Sequence, residues 1–155
     1  MTQTRTILTY GTISGVILAV LFLATLHFGN MDNNTGMLVG FLTMFIALSV
    51  IFVGVKRYRD VELGGVIRFW PALKLGAGMA LIASAFYVLG WEAYLASTGY
   101  AYVDAIVEMG YPDYGDPLYR MPLTFVEISP VALIVPLVSA ALLCNRRFLP
   151  ANPPA

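Results

Sequence analysis

Lys56-Arg57-Tyr58-Arg59-Asp60 is the stretch on which the fold turns. Two long apolar runs precede it and two follow it, and neither pair of runs offers a face suited to water. The stretch therefore reads as a loop held on one side of a membrane, with a helix pair on each flank.

Composition agrees. The chain has 155 residues, 59% hydrophobic and 12% charged, with a mean hydropathy of +0.77. A soluble domain carries about a quarter of its residues charged. Half that, with long uncharged runs, indicates an integral membrane protein of one domain. Net charge is zero, so nothing draws the whole chain toward nucleic acid. The one cysteine, Cys144, excludes an intrachain disulfide and a Cys-x-x-Cys site.

Outward from the basic stretch, the expected spans are 7–28, 36–55, 72–95 and 122–143. Ile7–Phe28 covers roughly 30 Å as a helix, the thickness of a hydrocarbon core. It is too long for an ordinary signal-peptide core and is followed by no clear cleavage site. Gly29–Thr35 is a turn by composition, so the first two spans are antiparallel neighbours. After the basic stretch, Gly64-Gly65 breaks the helix and Pro71 suits the first turn of the next. Phe69 and Trp70 are placed at headgroup level. Residues 97–121 form the one sizeable polar loop, rich in Tyr, Asp, Gly and Pro, with room for a short helix near Asp104–Met109. Residues 145–155 form the tail. The expected fold is an all-α membrane bundle of four helices in two antiparallel pairs.

Basic residues give the orientation. Arg5, Lys56, Arg57, Arg59, Arg68, Lys74, Arg146 and Arg147 fall on one side and Arg120 alone on the other. Lys and Arg accumulate on the cytoplasmic side. Both termini and the central loop are therefore expected inside, and the tyrosine-rich loop outside. Lys56, Arg57 and Arg59 are also candidates for contact with anionic headgroups.

Helix association in lipid rests on close packing and polar contacts. Gly11 and Gly15, Gly36 and Gly40, and Gly76 with Ala80 and Ser84 supply small residues at helical spacing. They serve either packing within the bundle or a homo-oligomer seam; a membrane-protein partner is equally compatible.

Three titratable groups lie near the outer end of the spans: His27, Glu92 and Glu127. Counted from Ile7, Lys74 and Arg146, each is roughly 27–30 Å from the basic boundary. Ionisable residues in spans are functional candidates. Two carboxyls and an imidazole can share a proton or bind a cation; the alternative is that each is merely solvated at the interface. Val88, Ala85 and Gly78 share the face of Glu92 and suit the interior, whereas Tyr87 and Trp91 suit lipid. Arg120, two turns from Glu127, is its expected ion-pair partner. One histidine excludes bis-histidine haem ligation. No phosphate-binding glycine loop, Ser-His-Asp set or nucleophile–base pair is present, so no cofactor, metal site or catalytic residue is expected.

Tyr10-Gly11, Phe52-Val53-Gly54-Val55 leading into Lys56-Arg57-Tyr58-Arg59-Asp60, Gly64-Gly65-x-Ile67-x-Phe69 and Ala72-Leu73-Lys74-x-Gly76 carry a resemblance. So does Pro117-Leu118-Tyr119-Arg120-x-Pro122-x-Thr124-Phe125-x-Glu127-x-x-Pro130-Val131. Together they resemble a bacterial family of small four-helix inner-membrane proteins classed as a domain of unknown function. The resemblance implies the fold and an inner-membrane location, and it implies no activity. The outer segment between the last two spans looks shorter here than is usual in that family. The expected role is non-enzymatic, through partners, lipid or self-association; the alternative is a small proton- or cation-coupled transporter using the outer carboxylates.

Overall fold

The computed structural model describes residues 2–28 and 33–150. Five helices follow one another: α1 (Gln3–Phe28), α2 (Asn33–Glu62), α3 (Phe69–Ser97), α4 (Ala101–Glu108) and α5 (Pro117–Leu143), with a 3₁₀ turn at Pro112–Gly115 before α5. There is no strand among the described residues. Helices α1, α2, α3 and α5 are each long and apolar enough to cross a membrane. The polar turn expected at Gly29–Thr35 lies mostly outside the described residues.

Each long helix outruns its apolar run. α2 continues two turns past Val55 to Glu62, so the basic stretch is helix rather than loop. The cause is local: Ile51, Val55 and Arg59 are spaced four apart, lie on one face and are all buried. The break comes at Gly64 and Gly65, with φ of 63° and 86°. The Gly65 N–H donates to the Arg59 carbonyl at 2.9 Å and closes the helix end. At the other end, Gly99 and Tyr100 turn the chain into α4 with two successive left-handed residues, φ 64° and 59°. α5 starts on Asp116, whose carboxylate accepts from the Leu118 N–H at 2.9 Å, with Pro117 in its first turn.

The four long helices close a ring in the order α1, α2, α5, α3, and α2 and α3 also touch across it. α1 packs antiparallel to α2: the Ser14 hydroxyl donates to the Ala47 carbonyl at 2.8 Å between the two helices. α3 packs antiparallel to α5, with Gly76 beside Pro136 and Glu92 beside Arg120. α1 and α3 run parallel and meet at glycines. A Cβ on Gly15 would sit 2.7 Å from the Phe86 ring, and one on Gly11 2.9 Å from Ile82. Gly54, on α2, receives Tyr10 in the same way, at 2.8 Å. Gly36 and Gly40 differ. A Cβ at either would meet nothing within 4 Å among the described residues, so this pair brings no two helices together there. The same G-x-x-x-G spacing thus packs in α1 and stands open in α2.

Three prolines lie inside α5: Pro122, Pro130 and Pro136. Pro130 has no N–H for the Val126 carbonyl four residues earlier. The Ser129 hydroxyl donates to that carbonyl instead, at 2.7 Å. This is the compensation that lets a proline persist in a span.

The basic end is built differently from expectation. Arg59, a candidate for lipid contact, is fully buried. Its guanidinium donates to the Phe148 carbonyl at 3.1 Å, to the Leu143 carbonyl at 3.4 Å and to the Leu149 carbonyl. Its Nε pairs with Asp60 at 2.6 Å. Lys56 spends its charge on the same Asp60, also at 2.6 Å. Of the three basic candidates, Arg57 alone is exposed.

Candidate functional site

The end of the bundle carrying α4 holds the titratable groups, and it divides them. Glu92 on α3 and Arg120 on α5 form a two-pronged ion pair: Nε to Oε1 at 2.8 Å and Nη2 to Oε2 at 2.7 Å. Such a fork uses both carboxylate oxygens. Arg120 is 1% exposed and the Glu92 side chain 13%. The remaining guanidinium nitrogen donates to the Tyr114 and Gly115 carbonyls at 3.0 and 3.3 Å. The Tyr100 and Tyr114 rings lie 5.7 and 5.9 Å from its centre, within cation–π range. Arg120 therefore pins the 3₁₀ turn onto α3. It pairs with Glu92, not with Glu127: two turns along one helix separate charges by about 10 Å, while the antiparallel neighbour comes close.

Glu127 has another setting. It stands ten residues into α5, about 15 Å along the helix from Pro117. Its side chain is exposed at the edge of a cavity of about 290 Å³. Tyr87 lines the same cavity. No Lys or Arg pairs with it among the described residues. Glu92 does not line this cavity. The side chain of His27 lies outside the described residues. No group of three His, Cys, Asp or Glu able to hold a metal ion occurs among the described residues.

Aromatic rings make the cavity walls. Phe22 on α1, Tyr87 and Trp91 on α3, Tyr102 on α4 and Tyr114 in the 3₁₀ turn all line it. Neighbouring rings meet edge to face, 4.8 Å between Phe22 and Tyr87, 5.4 Å between Trp91 and Tyr102, and 6.3 Å between Tyr102 and Tyr114. Tyr94 stacks on Trp91 at 5.7 Å. Burial pushes the Tyr114 phenol above its ordinary value.

The face of α3 departs from that expected at two positions. Tyr87 is 2% exposed and Ala85 is exposed, while Val88 and Trp91 are half-buried and Gly78 lies against Ile7. A tyrosine ring that packs edge to face on Phe22 gains contacts inside that it would lack at lipid. The signal was present: Tyr87, Trp91 and Tyr94 fall at i, i+4 and i+7, an aromatic stripe with the helical period.

A family model described as "Protein of unknown function (DUF4199)" matches residues 9–112, about two thirds of the chain. The match takes in α1 to α4 and ends before α5, so Phe22, Tyr87, Trp91 and Tyr102 lie within it and Tyr114 and Glu127 beyond it. No curated protein and no solved structure matches the chain. The chain belongs to the DUF4199 family of proteins of unknown function.

Proposed function

We propose that this is a non-enzymatic, multi-pass protein of the bacterial inner membrane that acts by binding a ligand or lipid group in the aromatic cavity at its α4 end. The observation that carries the reading is the cavity itself. It is close to the lower bound of ordinary ligand sites, about 300 Å³. It is mostly aromatic, and it presents one carboxylate set inside a span, where an ionisable group is costly unless it serves a purpose. A transporter built on a Glu92–Glu127 pair lacks the same support, because Arg120 holds both oxygens of Glu92.

The basic residues favour termini on the cytoplasmic side and α4 outside. Reporter fusions at Val61 and Asp113 should then read inside and outside; an outside signal at Val61 overturns this orientation. The cavity has its own test. Trp70 lies at the opposite end of α3, so a Trp70→Phe protein leaves Trp91 as its one indole. Acrylamide should quench Trp91, and adding Leu123→Phe, which puts bulk on the cavity wall, should at least halve the quenching. Equal quenching in both proteins would overturn the cavity as a binding space.

A further inference from the structure

The geometry points to an organic ammonium cation as the occupant of the cavity between Phe22, Tyr87, Trp91, Tyr102, Tyr114 and Glu127, an inference that rests on the cavity being a binding site. The shared chemistry is an alkylated or quaternary nitrogen, carried by a free amine or by a lipid headgroup.

Charge and shape both lead there. An aromatic face is the negative end of a ring quadrupole and attracts a cation within about 6 Å of its centroid. Six such rings line this space, Tyr94 among them, and four neighbouring pairs meet edge to face at interplanar angles between 60° and 80°. Rings set at such angles stand as walls around a volume; Tyr94 and Trp91 alone stack, at 19°. Glu127 supplies the one carboxylate of the lining. Arg120 lies near Tyr114, but Glu92 neutralises it through two bonds, so the uncompensated charge at the cavity is that of Glu127.

Other occupants fit less well. A neutral apolar group would leave the carboxylate without a counter-charge in a poorly hydrated place. An anion would meet Glu127 directly. A bare divalent metal ion wants several oxygen or nitrogen ligands, and the described residues offer one carboxylate here. An alkylated ammonium needs no set of hydrogen-bond acceptors. It is satisfied by ring faces and a single charge, and that is what these side chains supply.

The test uses the Trp70→Phe protein in nanodiscs of phosphatidylglycerol, which carries no ammonium group. Choline is titrated against its carbon isostere, in which a neutral quaternary carbon replaces the nitrogen, and Trp91 emission is read. Choline should change the emission saturably and bind at least about tenfold tighter than the isostere, the low end of what a charge-assisted contact contributes. Glu127→Gln should lose about tenfold or more of choline affinity. Tyr102→Leu, on the short α4 outside the four-helix ring, should weaken choline binding as well, and it covers the case of a Glu127 variant that fails to fold. Nanodiscs containing phosphatidylcholine separate the sources. A lipid source predicts a changed Trp91 emission before choline is added; a free amine predicts none. Either result assigns the source once choline has been shown to bind saturably and tighter than the isostere. Equal saturable binding of choline and isostere overturns the ammonium inference and leaves the cavity as a binding space. Absence of saturation by either overturns the inference, and it removes the cavity reading too if acrylamide also fails to discriminate.

Discussion

Replacing Glu92 by glutamine should destabilise the protein by about 3–5 kcal/mol, the usual result of removing one partner of a buried ion pair. The size follows from where the charge is left. Arg120 is 1% exposed and cannot lose its proton, so a neutral partner strands a desolvated guanidinium. Glutamine keeps one acceptor oxygen, yet the Coulomb partner is gone. The two carbonyls that Arg120 also serves, at Tyr114 and Gly115, and the rings of Tyr100 and Tyr114 make no substitute for a counter-ion. The double variant Glu92→Leu, Arg120→Met should be less damaged than Glu92→Gln alone, because it removes the desolvated charge together with its partner. Reversible denaturation in mixed micelles measures both. A Glu92→Gln protein within about 1 kcal/mol of the parent would mean that water reaches Arg120 and that the pair is not a buried one.

Long apolar runs bounded by charge are the strongest signal a chain carries, and the four long helices follow from them. The glycines of α1 were legible for the same kind of reason: Gly11 and Gly15 share one face, and α3 lies against it. Spacing says which residues share a face, but not which neighbour that face meets. That is why Gly36 and Gly40, with the same spacing, turn out to meet no other helix among the described residues. The same limit misplaced Tyr87 and Ala85 on α3. Aromatic residues suit lipid and suit a packed cavity equally, and Tyr87 is placed inside by Phe22 of α1, which spacing along α3 does not show. That Glu92, Glu127 and Arg120 lie toward the same end was legible from their distance to the basic boundary. Their pairing was not, because it depends on the relative rotation of α3 and α5.

Arg59→Met should cost about 2–4 kcal/mol and should free the chain beyond α5. Methionine keeps the apolar stem of arginine but lacks the guanidinium and donates nothing. Three carbonyls then lose their partner, at Leu143, Phe148 and Leu149, and each buried acceptor left unsatisfied costs about 1–3 kcal/mol. Those near the tail can turn to water, and Asp60 keeps Lys56 as a counter-ion, so the total stays below the sum. Leu149 adds to the effect in a second way. Its φ of 45° lies in the left-handed region, which a leucine occupies only when something holds it there. The Arg59 fork is that something, together with the Phe148 ring packed edge to face on Phe52 at 6.4 Å. Without the fork, the residues after Leu143 should detach while α5 remains. Trypsin cleavage at Arg146 or Arg147 should then accelerate at least about tenfold, following the opened population. Arg59→Lys should recover only part of the loss. A lysine is a point donor on a flexible stem and cannot reach carbonyls and Asp60 together as a planar fork does. A Met variant that melts and is cleaved like the parent would show that the tail is held by Phe148 alone. A Lys variant indistinguishable from the parent would show that charge, and not the fork, is what the basic end requires.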